Sequence, residues 1–183
     1  MVLHILFAII FLFMFTFVIG GYSAAPWVPA RASDVTRFIE AGEILPTDVV
    51  VDLGCGDGRL LFAAMRAGAA EAIGYEISLL PYLIAQVRCL FTPRNIRPKI
   101  YFRNFWKADV SRTTVVYTFL MPKSFDHLLK KINELPNGAR LINYVWELPG
   151  MTPEKIFEAP KSLKLYRYRL QTAPTIPATA PLN

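Results

Sequence analysis

Val49-Val50-Val51-Asp52-Leu53-Gly54-Cys55-Gly56-Asp57-Gly58 is the stretch on which the reading of the fold turns. Three consecutive aliphatic residues suit a strand buried on both faces. An acid follows, and then three glycines at alternate positions. A second strand-like run, Ala72-Ile73-Gly74-Tyr75-Glu76, also ends in an acid. Strand, glycine turn and second acid in this order predict the nucleoside pocket of a doubly wound α/β domain, at the carboxyl ends of its strands. Glycine lets the backbone turn sharply and approach a ligand where a Cβ would collide. A carboxylate such as Glu76 can accept hydrogen bonds from both hydroxyls of a ribose.

The spacing of the glycines selects among nucleoside ligands. Dinucleotide sites use G-x-G-x-x-G, with a pyrophosphate at the helix N-terminus. Here the third glycine arrives one residue early, and Asp57 lies inside the turn. Its carboxylate would repel a pyrophosphate. It would suit a cationic ligand, such as the ammonium or sulfonium of S-adenosyl-L-methionine. Asp-Leu-Gly-Cys-Gly-Asp-Gly with Glu76 downstream resembles the first two motifs of class I S-adenosylmethionine-dependent methyltransferases. The plain alternative, a glycine turn with no ligand, leaves both acids and both flanking strands as coincidence.

Outward from this motif, strand and helix signals alternate. Ser33 or Asp34 is positioned to cap a helix through Ala41, with Gly42 ending it. Strands are expected at 48–52, at 72–76, at 99–103, at 114–120 and at 140–146. Helices are expected over 59–66, from Ser78 as cap through Leu90, and from Pro122 to Glu134. This alternation argues a mostly parallel sheet covered on both faces. The end differs: 155–158 and 163–170 read as two strands around Pro160-Lys161-Ser162. The resemblance implies such a C-terminal antiparallel hairpin. The fold expected is therefore an α/β, doubly wound, Rossmann-like methyltransferase sheet with a C-terminal hairpin, preceded by one transmembrane helix. Its parts are an anchor over 1–22, a methyltransferase domain over 23–171, and a Pro/Ala/Thr-rich disordered tail over 172–183.

The anchor follows from Val2 to Gly21, which carries no charged residue and only His4 and Thr16 as polar breaks. A helix of that length spans roughly 30 Å, the thickness of a hydrocarbon core. A cleaved signal peptide is the rival, with Ser23-Ala24-Ala25 as its site, but no Lys or Arg precedes the apolar run. Arg31 and Arg37 lie after it, so the positive-inside rule predicts a single-pass membrane protein with its catalytic domain cytoplasmic. Cytosolic S-adenosylmethionine makes the same demand. The net charge of +6 comes from scattered basic residues, without an arginine-rich block or RNA-binding module. A face near anionic lipid is expected, and no nucleic acid. Cys55 and Cys89 suggest no disulfide framework, and no Cys/His cluster has zinc-ligand spacing, so no metal is expected.

The apolar span, Pro26-Trp27-Val28-Pro29, the glycine motif, Gly74-Tyr75-Glu76 and Phe105-Trp106-Lys107 occur in that order. Together they resemble the small membrane-anchored protein-lysine methyltransferases that include those of the ATP synthase c subunit and the adenine nucleotide translocase. The resemblance implies roles. Asp52 orients the turn or the ligand's amino group. Gly54, Cys55, Gly56 and Gly58 form the wall against the methionine part. Glu76 holds the ribose, and Ile77 packs on adenine. Asn104 takes the place of an acid facing the adenine amino group, where an amide oxygen still accepts that bond, with Phe105 beside it. Thr118, after strand four, faces substrate; Trp27 and Trp146 line a channel for a lysine stem. Core packing is the alternative for these aromatics. The Asn/Asp-Pro-Pro-Tyr signature of enzymes that methylate bases or glutamine is absent after strand four. A protein substrate, a lysine of a membrane protein, is the expected partner. Methyl transfer is an in-line displacement in which alignment and a neutral amine do most of the work, so no dedicated base is required. Two other activities fit the same motifs: a small-molecule, lipid or quinone methyltransferase at the membrane surface, and a catalytically silent binding protein.

Overall fold

The computed structural model describes residues 1–23 and 28–171, and of residues 8–9, 12–13 and 17–23 the backbone alone. The expected tail over 172–183 and Trp27 lie outside the described residues. In chain order the elements are α1 (Val2–Ser23), α2 (Ala32–Gly42), β1 (Val49–Leu53), α3 (Arg59–Arg66), β2 (Glu71–Glu76) and α4 (Leu79–Leu90). Then follow β3 (Lys99–Phe102), β4 (Val115–Thr118), α5 (Phe125–Ile132), β5 (Arg140–Tyr144), β6 (Lys155–Phe157) and β7 (Leu165–Arg169). The seven strands form one sheet in the order β3-β2-β1-β4-β5-β7-β6. The first five are parallel, and β7 runs antiparallel between β5 and β6. This is the doubly wound sheet with a terminal hairpin that the alternation predicts.

The period of two along each central strand divides the core. Val50, Val115, Tyr117 and Ile142 pack on one face with Phe38 of α2, Leu61 of α3 and Ala85 of α4. Val51, Val116 and Leu141 face the other way, toward Leu128 of α5 and Tyr168. The strand order reverses between β1 and β4, and the crevice at such a switch point is where an open α/β sheet binds its ligand. The opposite end is tied by polar groups: Asp48 accepts from Thr114 Oγ1 at 2.7 Å and from the Leu45 amide at 2.6 Å, and pairs with Arg140. Burial opposes ionisation there, but these donors together hold the Asp48 carboxyl below its ordinary value.

Local details depart from expectation. Helix α2 begins with Arg31 as its cap, in extended backbone, so neither Ser33 nor Asp34 caps it. Asp34 sits instead inside the first turn, where its charge favours the helix N-terminus. The helix expected from Pro122 opens as a 3-10 turn over Pro122–Ser124, and the α-helix starts at Phe125. Helix α1 is 22 residues long and meets α4, where the Leu79 amide donates to Thr16 Oγ1 at 3.2 Å. Among the described residues no helix is long and apolar enough to cross a membrane, so the expected span is present as a helix but not established as a membrane crossing.

Candidate active site at the switch point

The turn after β1 is shaped by its glycines. Gly54 stands at φ +92°, a conformation that side chains rarely tolerate, and a Cβ there would come near only Phe105, at 4.0 Å. The amides of Gly54 and Cys55 both donate to the Tyr75 carbonyl at 3.0 Å, seating the turn on β2. That seat depends on Gly74: a Cβ there would fall 2.6 Å from Cys55 Sγ and closer still to Leu61. Gly74 is therefore a site residue that the motif spacing does not reveal.

The turn encloses three acids in three different states. Asp52 is buried, and among the described residues no hydrogen bond or ion pair reaches its carboxylate. Burial, then the neighbouring Glu76 and Asp57, push its pKa up to about 8. Asp57 is paired with Arg59 at 2.5 Å and with Arg88 at 3.1 Å. Burial works against its charge, but the two arginines prevail and hold its carboxyl below the usual range. This corrects the reading of Asp57 as a free charge selecting a cationic ligand; the free carboxylate is Asp52. Glu76 accepts from the Gly56 amide at 2.8 Å, from Ile77 at 2.8 Å and from Ser78 at 2.6 Å. A carboxylate has about four acceptor sites, so roughly one remains for a ribose hydroxyl. Glu76 is thus first a clamp on the turn.

A cavity of about 390 Å³ opens over this turn, within the range of small-molecule sites. One wall is Asp52, Gly54, Cys55, Gly56 and Asp57; the facing wall is Thr118 and Phe119 of the β4 end, Tyr144 of the β5 end, and Asp34. Val28 to Arg31 and Lys161 to Leu163 complete the rim. Of the expected cofactor residues, Asp52, Gly54, Cys55 and Gly56 line the cavity; Gly58, Glu76, Ile77, Asn104 and Phe105 are not among its lining residues. Asn104 Oδ1 accepts from the Trp106 amide at 3.0 Å, capping a short turn. Phe105 is buried and rests against Trp106. Burial, then Asp52 and Glu76, raise the Cys55 thiol well above its ordinary value, so it is an inert wall.

On the expected substrate side, Thr118 lines the cavity, but its hydroxyl donates to Asn143 Oδ1 at 2.6 Å. Asn143 in turn donates to the Trp146 carbonyl at 2.7 Å. Trp146 stacks on Phe119 with centroids 6.1 Å apart, behind the cavity wall. The groups that face the cavity are Phe119, Tyr144 and Asp34. Sequence reading misses them because Asp34 and Tyr144 meet only through tertiary packing.

A model of the ANTKMT methyltransferase domain matches residues 52–155, which run from Asp52 to the first residue of β6. The chain belongs to that methyltransferase family. The protein-lysine N-methyltransferase of Saccharolobus islandicus is 31% identical over 137 residues, 73% of this chain and 84% of that protein. The lysine N-methyltransferase of the ATP synthase c subunit from Xenopus laevis is 33% identical over 135 residues, but the match spans only 58% of its length. The adenine nucleotide translocase lysine N-methyltransferase of Mus musculus is 31% identical, with 56% of its length spanned. Among solved structures, an RNA methyltransferase from Salinibacter ruber with bound S-adenosyl-L-homocysteine superposes with a TM-score of 0.72 at 25% identity. The match covers 85% of this chain and 98% of that one.

The protein is thus an S-adenosylmethionine-dependent methyltransferase, and the residues fit that cofactor. Asp52 is a buried carboxylate without a partner among the described residues, placed to take the ammonium of the methionine part. Gly54 leaves open the space that a side chain would fill. When bound, the cofactor supplies a methyl group on a sulfonium; the chain's part is to hold, align and exclude water.

Proposed function

We propose that this methyltransferase is a protein-lysine N-methyltransferase working at a membrane surface. The observation that carries the lysine reading is the composition of the cavity wall opposite the glycine turn. Phe119 and Tyr144 give aromatic faces suited to an alkyl stem and a cationic head, and the acid of that wall, Asp34, is already paired. The names of the Saccharolobus and vertebrate relatives point the same way. Membrane association is supported by the uncharged run from Val2 to Gly21. A second support is the outer side of α4, where Leu83, Val87 and Leu90 are exposed with Phe91 beyond them, ahead of the exposed Arg94. Such a face suits the boundary between acyl chains and anionic headgroups.

The test is transfer of tritiated methyl from S-adenosylmethionine into membranes of the source cell, comparing wild type with Asp52→Asn. Label in a discrete protein band, surviving lipid extraction and appearing with wild type only, supports the proposal. Mass spectrometry then locates the lysine. Label that leaves with the organic phase makes this a lipid or quinone enzyme. Label that is lost on nuclease treatment makes it a nucleic-acid enzyme.

A further inference from the structure

The phenol of Tyr144, at the end of β5, donates its proton to Asp34 Oδ2 at 3.0 Å. A phenol has one donor; with that committed, its oxygen has only lone pairs to offer the cavity that Tyr144 lines. Asp34 is itself fixed. Its other oxygen pairs with Arg37 at 3.0 Å, and Arg37 donates to the carbonyls of Phe157 at 2.7 Å and Leu163 at 2.9 Å. Helix α2, strand β5 and the β6–β7 hairpin therefore all brace one acceptor atom. Phe119 stands edge-on to Tyr144, with centroids 5.2 Å apart, and presents an apolar wall beside that atom.

We propose that Tyr144 Oη is the acceptor that orients the lysine amine for methyl transfer, with Asp34 as the positioning residue and Phe119 packed along the methylene stem. This rests on the lysine reading above.

The charge arrangement explains why a phenol serves better than a carboxylate. An acid in contact with the amine would stabilise the ammonium, which has no lone pair to attack with. Here the charge of Asp34 is balanced by Arg37, and that of Asp52 is matched to the cofactor's ammonium. Burial and then Asp34 push the Tyr144 pKa up to about 12, so the phenol stays neutral at working pH. The neutral amine keeps two N–H groups and a lone pair. One N–H donates to Tyr144 Oη while the lone pair faces the methyl carbon. The N–C bond forms as the C–S bond breaks, the bonding pair stays on sulfur, and the new ammonium releases a proton to water before a further round.

The geometry sets a limit that a purely structural tyrosine would not. Lysine has two N–H groups, monomethyl-lysine one and dimethyl-lysine none. Tyr144 can therefore assist the first and second transfers and not the third. Tyr144→Phe, which keeps the ring, should bind S-adenosylmethionine within about twofold of wild type by calorimetry. With tritiated cofactor and source-cell membranes, the first two transfers to the labelled lysine should slow by about tenfold or more, as loss of one hydrogen bond in the transition state implies. Any third transfer, followed by mass spectrometry, should keep its wild-type rate. Equal slowing of all three, or an unchanged first transfer, would overturn the assignment. If Tyr144→Phe fails to fold, 3-fluorotyrosine placed at this position alone weakens the acceptor while keeping the ring, and the same comparison decides. If wild type labels protein but no lysine, the lysine reading itself falls, and this assignment with it.

Discussion

Arg88 of α4 holds Asp57 in the glycine turn by two contacts, 3.1 Å to its carboxylate and 3.1 Å to its carbonyl. Arg59 takes the same carboxylate from the start of α3. The acid inside the turn thus joins two helices. Arg88→Ala should cost no more than about 1 kcal/mol in stability, because the side chain is partly exposed and Arg59 remains. Arg59→Ala should cost more, since Arg59 also donates to the Ala30 carbonyl. Both should weaken cofactor binding several-fold by loosening the turn. Thermal unfolding and calorimetry measure the two effects, and unchanged affinity in both variants would mean that the turn holds its shape without them.

Asp52 couples cofactor binding to pH. Its folded pKa is raised from 3.8 to about 8, so the folded state keeps a proton that the unfolded state loses. The resulting stabilisation is present below the unfolded value and disappears as pH rises toward 8. Asp52→Asn, neutral throughout, should therefore melt higher than wild type at pH 8 and close to it at pH 4. The gap is on the order of a few kcal/mol at most. Binding has the opposite preference, since an ammonium selects the carboxylate. Wild-type affinity should rise between pH 5.5 and 7, below the range of about 7.7–8.0 where an α-amino group titrates. The asparagine variant should bind weakly, with a flat profile. A wild-type affinity independent of pH over this range would remove Asp52 as the ammonium's partner.

The fold was legible in the sequence because its decisive signals are local. Aliphatic β1, the alternate glycines and the acids closing β1 and β2 lie within 28 residues, 49–76. Helix ends near Pro and Gly fell close to where the punctuation placed them. The methionine side of the site was equally local, and Asp52, Gly54, Cys55 and Gly56 meet in one cavity. The substrate side was not. Asp34 and Tyr144 are 110 positions apart and meet only because α2 packs over β5. The two arginines that neutralise Asp57 were equally hidden, since a charge in a motif does not announce its partner. Glu76 was legible as a site acid, but not as the acceptor of three backbone amides.

That last point changes what a Glu76 substitution reports. Glu76→Ala leaves the amides of Gly56, Ile77 and Ser78 without their acceptor in a buried turn. Each unsatisfied group costs about 1–3 kcal/mol, so roughly 3 kcal/mol or more of stability should be lost. Urea unfolding without cofactor measures this directly. Loss of cofactor binding in this variant then reflects a broken turn as much as a lost ribose contact. Unchanged stability would show that water or a shifted backbone satisfies the amides, and would restore Glu76→Ala as a clean probe of the ribose.

Gly74 tests the seating of the turn from the other side. An alanine Cβ there would lie 2.9 Å from Cys55 Cβ and 2.6 Å from its Sγ, closer than real atoms approach. Leu61 Cδ1, nearer still, is the end of a flexible side chain and can move; the Cys55 backbone, tied to the Tyr75 carbonyl, cannot move without taking the turn with it. Gly74→Ala should therefore destabilise by about 1–3 kcal/mol, the usual cost of overpacking. It should also weaken cofactor binding by about tenfold, a secondary effect of the displaced turn worth about 1.4 kcal/mol. Adding Cys55→Gly removes both colliding cysteine atoms and should restore part of the stability and most of the binding. Thermal unfolding and calorimetry on the single and double variants separate the two effects. A double variant no better than Gly74→Ala would place the clash at Leu61, in the core, and not at the cofactor turn.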